Sequence, residues 1–193
     1  RKHDFVVIFD ECYSEIYTNK APHSLLEAAK NIGVDDFHNI LVVNSLSKRS
    51  SAPGLRSGFI AGDAKILKGY MQYRTYVGAA SGLPIQKAAA AAWSDEKHVE
   101  EFRKKYIQNI ELAKEILNYP NIESTFYVWI EVKDDLKAAK ELLERYNISV
   151  LPGSFLGRNG IGCGYIRIAL VEEPTRMKSA LEHIAIYLKE DRA

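Results

Sequence analysis

Cysteine is scarce in this sequence. Cys12 and Cys163 are the only two among 193 residues, too few for a disulfide framework. Neither stands at a spacing to histidine that suits zinc, so no metal site is expected. Two isolated thiols fit a reducing, cytoplasmic setting. Long apolar runs are missing as well: nothing approaches the roughly 20 apolar residues of a membrane span. No secretory leader is expected from these residues, which do not open on methionine. Neither sign of charge dominates, with 26 Lys and Arg against 25 Asp and Glu and a formal net charge of +1. Both signs are scattered, so there is no electrostatic reason to expect nucleic acid or a membrane surface as partner. Internal repeats and low-complexity segments are also absent.

What is present is an alternation of short apolar runs and amphipathic stretches. Hydrophobic residues make up 47% of the chain, enough for a sizeable core in one or two domains. Residues 5–9 form a continuous apolar run ending in Asp10-Glu11, which predicts a strand buried on both faces of a parallel sheet. Further strands are expected over 40–43, 59–61, 126–130, 148–151 and 165–170. Helices are expected over 25–32, 64–76, 85–93, 98–117, 136–146 and from Pro174 onward, with a break over 78–84. The alanine-rich stretch 85–93 reads as a buried core helix. In 136–146 the apolar positions Leu136, Ala139, Leu143 and Tyr146 are in phase, and in the last helix Met177, Leu181, Ile184, Ala185 and Leu188 are. Such an order predicts an α/β architecture followed by a smaller α/β or α+β unit.

One stretch organises the rest. Between the runs 40–43 and 59–61 lies Asn44-Ser45-Leu46-Ser47-Lys48-Arg49-Ser50-Ser51-Ala52-Pro53-Gly54-Leu55-Arg56-Ser57-Gly58. Pro-Gly and the serine cluster mark a loop. Lys48 therefore stands at the exit of a strand, where open α/β sheets bind ligands. Hydroxyls and a nearby guanidinium suit a phosphate. A lysine beside a phosphate cradle suggests pyridoxal phosphate, whose aldehyde condenses with a lysine amine.

The run Ser-x-Ser-Lys followed by Pro-Gly-Leu-Arg-x-Gly resembles the cofactor-lysine segment of class I/II (fold type I) aminotransferases. The resemblance extends from Phe5 nearly to the C-terminus and takes in Asp10, Tyr13 and Arg167. The fuller wording through Gly58-Phe59, with Tyr73-Arg74-Thr75-Tyr76 and Leu151-Pro152-Gly153-Ser154-Phe155-Leu156, is similar to succinyldiaminopimelate aminotransferases. The fold implied is the C-terminal part of a mostly parallel-sheet, pyridoxal-phosphate-binding large domain (residues 1–108) plus a small α/β (α+β) domain (residues 109–193), bridged by the helix over 98–117. About half of a usual aminotransferase chain would then precede Arg1. That half normally carries a ring-stacking aromatic, an asparagine on the cofactor oxygen and further phosphate ligands. The implied partners are amino acid and 2-oxo acid substrates and a second copy of the chain.

The resemblance also implies roles. Lys48 is the catalytic lysine; its amine must be unprotonated to attack a carbonyl, and once freed it moves a proton at the substrate α-carbon. Asp10 faces the pyridine nitrogen and keeps it protonated. Tyr13, three residues on, donates to the ring oxygen. Ser45, Ser47 and Arg56 hold the phosphate, with Ser47 less secure because alternate residues of an extended chain point opposite ways. Arg167, an arginine in an apolar strand, requires an anion if buried, and the family's answer is the substrate α-carboxylate. Arg49 has three open readings: behind the phosphate, against substrate, or exposed. Two departures from the family concern Cys163-Gly164, where an asparagine-proline is common, and Ser124-Thr125, where a glycine is usual.

Other readings remain open at this point. Val6-Val7-Ile8-Phe9-Asp10-Glu11 also resembles a Walker B strand, but no Walker A sequence occurs. Ser45-Leu46-Ser47-Lys48 matches the Ser-x-x-Lys of penicillin-binding enzymes, without their Ser-Asp-Asn or Lys-Thr-Gly. An inactive binding or dimerisation remnant, and a fold-related pyridoxal enzyme of carbon–carbon bond chemistry, complete the set. Aspartate and N-acylated ornithine are the competing amino donors.

Overall fold

A computed structural model describes residues 2–78 and 80–192; Ala79, inside the expected break, lies outside them. The chain divides into two compact units, Arg1–Arg103 and Lys104–Ala193. The division falls within a 21-residue helix, Lys97–Leu117, and Asn109 belongs to the second unit.

In the first unit, β1 (Val7–Asp10), β2 (Ile40–Ser45) and β3 (Gly58–Gly62) form one sheet in that order. β1 runs parallel to β2, with Val7 opposite Ile40 and Asp10 opposite Val43. β3 returns antiparallel, with Ser45 opposite Gly58. Around the sheet lie α1 (Leu25–Asn31), α2 (Leu46–Arg49), α3 (Ala64–Tyr76), α4 (Leu83–Ser94) and the start of α5 (Lys97–Leu117). The core gathers Ile16, Ala29, Leu41, Val42, Leu46 and Val99. Leu46 is fully buried, which contributes about 1.5–3 kcal/mol and pins the first turn of α2.

Two expectations of burial differ from the structure, those for β1 and α4. β1 is not covered on both faces: Ile8 is 66% and Phe9 46% exposed. It is an edge strand, paired only with β2 among the described residues. α4 buries only Ala89, because it packs on α2 and the Pro53–Leu55 turn with its remaining sides uncovered. α3 buries none of its residues.

Two carboxylates organise the connections. Glu11 accepts hydrogen bonds from the Ser24 hydroxyl and the Leu25 amide, both at 2.8 Å, satisfying one orphan amide at the start of α1 and orienting its capping serine. Asp63 is buried and caps α3, accepting from the amides of Lys65 at 2.7 Å and Ile66 at 3.3 Å. Its other oxygen accepts from the Asn39 amide at 2.8 Å. That bond, then the α3 amides and the His38 ring, hold its carboxyl below the ordinary carboxylate value. A lowered folded value means stability that is present above about pH 4 and is lost as pH falls through the folded value. Asp63→Asn is therefore expected to lower the Tm at pH 7, with the gap closing toward pH 2. Thermal melts across that range check it, and a pH-independent gap contradicts it.

In the second unit, β4 (Tyr127–Glu131), β5 (Leu151–Pro152) and β6 (Tyr165–Ala169) form an antiparallel sheet in the order β4-β6-β5. The pairing is wholly antiparallel, so of the two expected architectures this unit is α+β. Its helices are α6 (Asp135–Tyr146) and α7 (Pro174–Arg192), with the later turns of α5. One sheet face, Val128, Ile130, Ile166 and Ile168, is buried with Tyr106, Ile110, Leu142, Leu181 and Ile184. Asn109, 1% exposed, ties α5 to the segment after β6 by donating to the carbonyls of Leu170 at 3.1 Å and Glu172 at 2.8 Å. The expected apolar phase of α6 is shifted: Ala138 and Leu142 are buried, whereas Leu136 and Leu143 are about half exposed. No described helix is long and apolar enough to cross a membrane.

Candidate active site

Strand direction explains why the predicted residues of the first unit converge. β1 and β2 are parallel, so their carboxyl ends open on the same side; the Glu11 amide still bonds the Val43 carbonyl at 2.8 Å. β3 is antiparallel, so its amino end reaches that side too. Asp10 ends β1, Ser45 ends β2, and Arg56 lies two residues before Gly58. The close approach of β3 requires glycine at position 58, where a Cβ would stand 2.5 Å from the Asn44 carbonyl oxygen.

Beyond Ser45 the chain does not stay extended. It turns at once into the four-residue α2, which carries Ser47 and Lys48. The Ser45 hydroxyl caps that helix, accepting from the Ser47 amide at 3.4 Å. Strand alternation therefore does not separate Ser47 from Ser45, since both serines belong to one helix start. The Leu46 amide bonds the Ser57 carbonyl at 3.0 Å, which closes the loop back onto α2.

Asp10, exposed at its strand end, accepts from the Cys12 amide at 2.9 Å. The Cys12 sulfur lies 3.2 Å from the Ser45 hydroxyl, so Asp10 and Ser45 are joined through one residue. Burial pushes the Cys12 thiol up, and the Asp10 carboxylate adds to the shift. Tyr13 and Lys48 are both half-buried, with the Lys48 Nζ 5.8 Å from the centroid of the Tyr13 ring. Arg56 is exposed and donates to the Pro53 carbonyl at 2.8 Å. Its φ of +48° is left-handed, a conformation found in tight turns and strained functional loops. A carboxylate, a phenol, two hydroxyls, an amine and a guanidinium thus share one end of one sheet. That donor set fits pyridoxal phosphate, which presents a pyridine nitrogen, a ring oxygen, an aldehyde and a phosphate.

Arg49, left unassigned by the sequence, is 5% exposed. It neither reaches solvent freely nor stands unpartnered. Its guanidinium donates to the Ala92 carbonyl at 3.0 Å, meets the Glu96 carboxylate and lies 5.4 Å from the Trp93 ring centroid. No local pattern signals this, because the partners lie more than 40 residues away.

Arg167 belongs to the second unit. It lies on the open face of the sheet, opposite Trp129 in register and half-buried. The premise of a buried arginine is corrected: its neighbours Ile166 and Ile168 take the core side, and strand alternation puts Arg167 on the other. Its guanidinium carbon stands 4.2 Å from the centroid of Tyr127, a cation–π contact. Nearby, the buried Asp135 accepts from the amides of Ser154 at 2.9 Å and Gly164 at 3.3 Å. The Ser154 side chain first, and these amides after it, hold its carboxyl below the ordinary value.

The architecture is that of fold type I aminotransferases, of which this chain covers part. The family profile "Aminotransferase class I and II" matches residues 1–184, so the chain belongs to that family, whose members are pyridoxal-phosphate-dependent. The aminotransferase AspB from Helicobacter pylori is 49% identical, with a TM-score of 0.94, over 97% of this chain and 50% of that one. The 4-dedimethylamino-4-oxo-anhydrotetracycline transaminase OxyQ of Streptomyces rimosus is 33% identical, over 91% of this chain and 49% of its own. An LL-diaminopimelate aminotransferase of Natranaerobius thermophilus is 32% identical, over 97% and 49%. The chain spans about half the length of the curated relatives it matches.

Proposed function

We propose that this chain is the C-terminal half of a cytoplasmic, homodimeric aminotransferase that moves an amino group between N-succinyl-L,L-diaminopimelate and 2-oxoglutarate, in lysine synthesis. In this reading residues 1–108 complete the cofactor-binding domain and residues 109–193 form the small domain. The observation that carries it is the meeting of Asp10, Tyr13, Ser45 and Lys48 at the carboxyl ends of β1 and β2. Pyridoxal phosphate, when bound, supplies the electron sink for the substrate α-carbon. Lys48 is the amine that would hold the cofactor at its aldehyde and, when displaced by the substrate amine, would carry the proton that leaves the α-carbon. Asp10 would keep a proton at the pyridine nitrogen, and the Tyr13 phenol would donate a hydrogen bond to the ring oxygen. Ser45, Ser47 and Arg56 bind the phosphate, and Arg167 grips the α-carboxylate.

The choice of donor rests on the wording of the Lys48 loop and on a relative named for diaminopimelate. Both proposed substrates have a distal carboxylate, so a second cation is needed. Arg74 and Arg158 are the candidates, both exposed. Side-by-side kcat/KM values for the complete protein test the donor, since specificity is that ratio. The succinylated donor is expected to lead aspartate and N-acetylornithine by at least tenfold, about 1.4 kcal/mol of transition-state binding. Aspartate or N-acetylornithine ahead by that margin overturns the donor and leaves the aminotransferase standing. No turnover with any donor, in a folded and complete protein, favours a binding remnant.

A further inference from the structure

We propose that Arg49 is a positioning residue for the Lys48–Tyr13 pair, a proposal that rests on the reading of Lys48 as the catalytic lysine. α2 is only four residues long and cannot hold a geometry by its own hydrogen bonds. Leu46 anchors its first turn in the core. Its last residue is Arg49, next to Lys48, and the side chain is fastened on every side. One terminal nitrogen donates to the carbonyls of Ala92 at 3.0 Å and Asp95 at 3.5 Å, and the other meets the Glu96 carboxylate. The guanidinium thereby closes the carboxyl end of α4, where unpaired carbonyls favour a cation. Ser50, which follows, is tied to the same corner: its hydroxyl lies 2.9 Å from His98 Nε2, whose other ring nitrogen lies 2.5 Å from Asp95.

The second half of the clamp reaches the other member of the pair. Arg49 Nε stands 4.0 Å from the Glu15 carboxylate. Glu15 is two residues beyond Tyr13, in a turn closed by bonds from Ser14 to Glu11 and from Ile16 to Tyr13, each 2.9 Å. Arg103 fixes that same residue from behind, through the Glu15 carbonyl at 2.9 Å and its carboxylate at 2.6 Å. Arg103 in turn stacks on Tyr17 at 4.2 Å. One carboxylate thus stands between two guanidiniums, hydrogen-bonded to Arg103 and in a 4.0 Å ion-pair contact with Arg49, and links the α2 end to the Tyr13 turn. Lys48 and Tyr13 sit on the two sides of that joint, which sets the distance between amine and ring.

A lysine at position 49 keeps the charge but has no planar fork to span Ala92, Asp95 and Glu96 together. Displacing a catalytic group by about 1 Å costs on the order of 100-fold in rate. In the complete protein, Arg49→Lys and Glu15→Gln are therefore each expected to lower kcat by roughly ten- to hundredfold. The KM values of both substrates should stay within about twofold, because Arg167 and the distal cation are untouched. Borohydride should still fix the pyridoxyl group on Lys48, and the absorbance band of the bound cofactor should move from its wild-type position. Should Arg49→Lys fail to fold, Glu15→Gln decides alone. Wild-type kcat and an unmoved band in a folded Glu15→Gln or Arg49→Lys protein overturn the proposal. A wild-type protein whose Lys48 takes no pyridoxyl label overturns the underlying reading of Lys48 instead.

Discussion

Lys48→Ala, made in the complete protein, is expected to abolish measurable transamination. On the proposed reading the variant would lose two things at once: the amine for the aldehyde and the base for the proton. Positioned general acid–base catalysis alone is worth about 10²–10⁴-fold, so single-turnover assays should show at least that loss. The fold should survive, because Lys48 is only half-buried while the neighbouring Leu46 and Arg49 carry the packing of α2. Far-ultraviolet circular dichroism and the Tm of the apoprotein serve as the control. Exogenous small amines are expected to restore part of the proton transfer, as they replace the missing base and not the fold. A folded Lys48→Ala protein with wild-type turnover would remove the lysine from the mechanism.

Arg167→Ala is expected to act on substrate and spare the cofactor. The guanidinium stands on an open sheet face against Tyr127, so its worth is that of a charge-assisted bond at a half-exposed site. Such bonds contribute about 1.5–3 kcal/mol, or roughly 10–150-fold in kcat/KM. The loss should appear with the amino donor and with the oxo acid alike, since both present a carboxylate. Arg167→Lys should recover little, because a point charge cannot make the paired contacts of a planar fork. Cofactor affinity should be unchanged in both variants. Loss of cofactor at unchanged substrate KM would assign Arg167 a different role.

The parts legible in the sequence were those with a strong local signal. The continuous run 40–43 and the Pro-Gly loop after it marked β2 and the turn toward β3, and with them the place of Lys48. In α7 the expected Met177, Leu181, Ile184 and Leu188 are buried, whereas Ala185 is half-buried and Tyr187, outside the expected phase, is buried with them. α2 was missed, because four residues are barely one turn and show no period. β1 and α4 are less buried than their apolar runs imply, for another reason. An apolar pattern reports which surface avoids water; it does not report whether the cover lies within the same stretch of chain. In α6 two competing stripes were available, Leu136–Leu143 and Ala138–Leu142, and only packing against the sheet selects the second. Arg49 and Glu11 illustrate the limit most clearly. Each is a charged residue beside a predicted site, and each is engaged by partners that only the folded chain brings near.

In the proposed function Lys48 carries the cofactor at the shared end of β1 and β2. Its most direct test is to load the complete protein with pyridoxal phosphate, reduce it with borohydride, digest it and map the pyridoxyl group by mass spectrometry. A single labelled peptide containing Lys48 is expected, with the label prevented by prior addition of the amino donor. A label on any other lysine, or none on a folded protein at saturating cofactor, would contradict it.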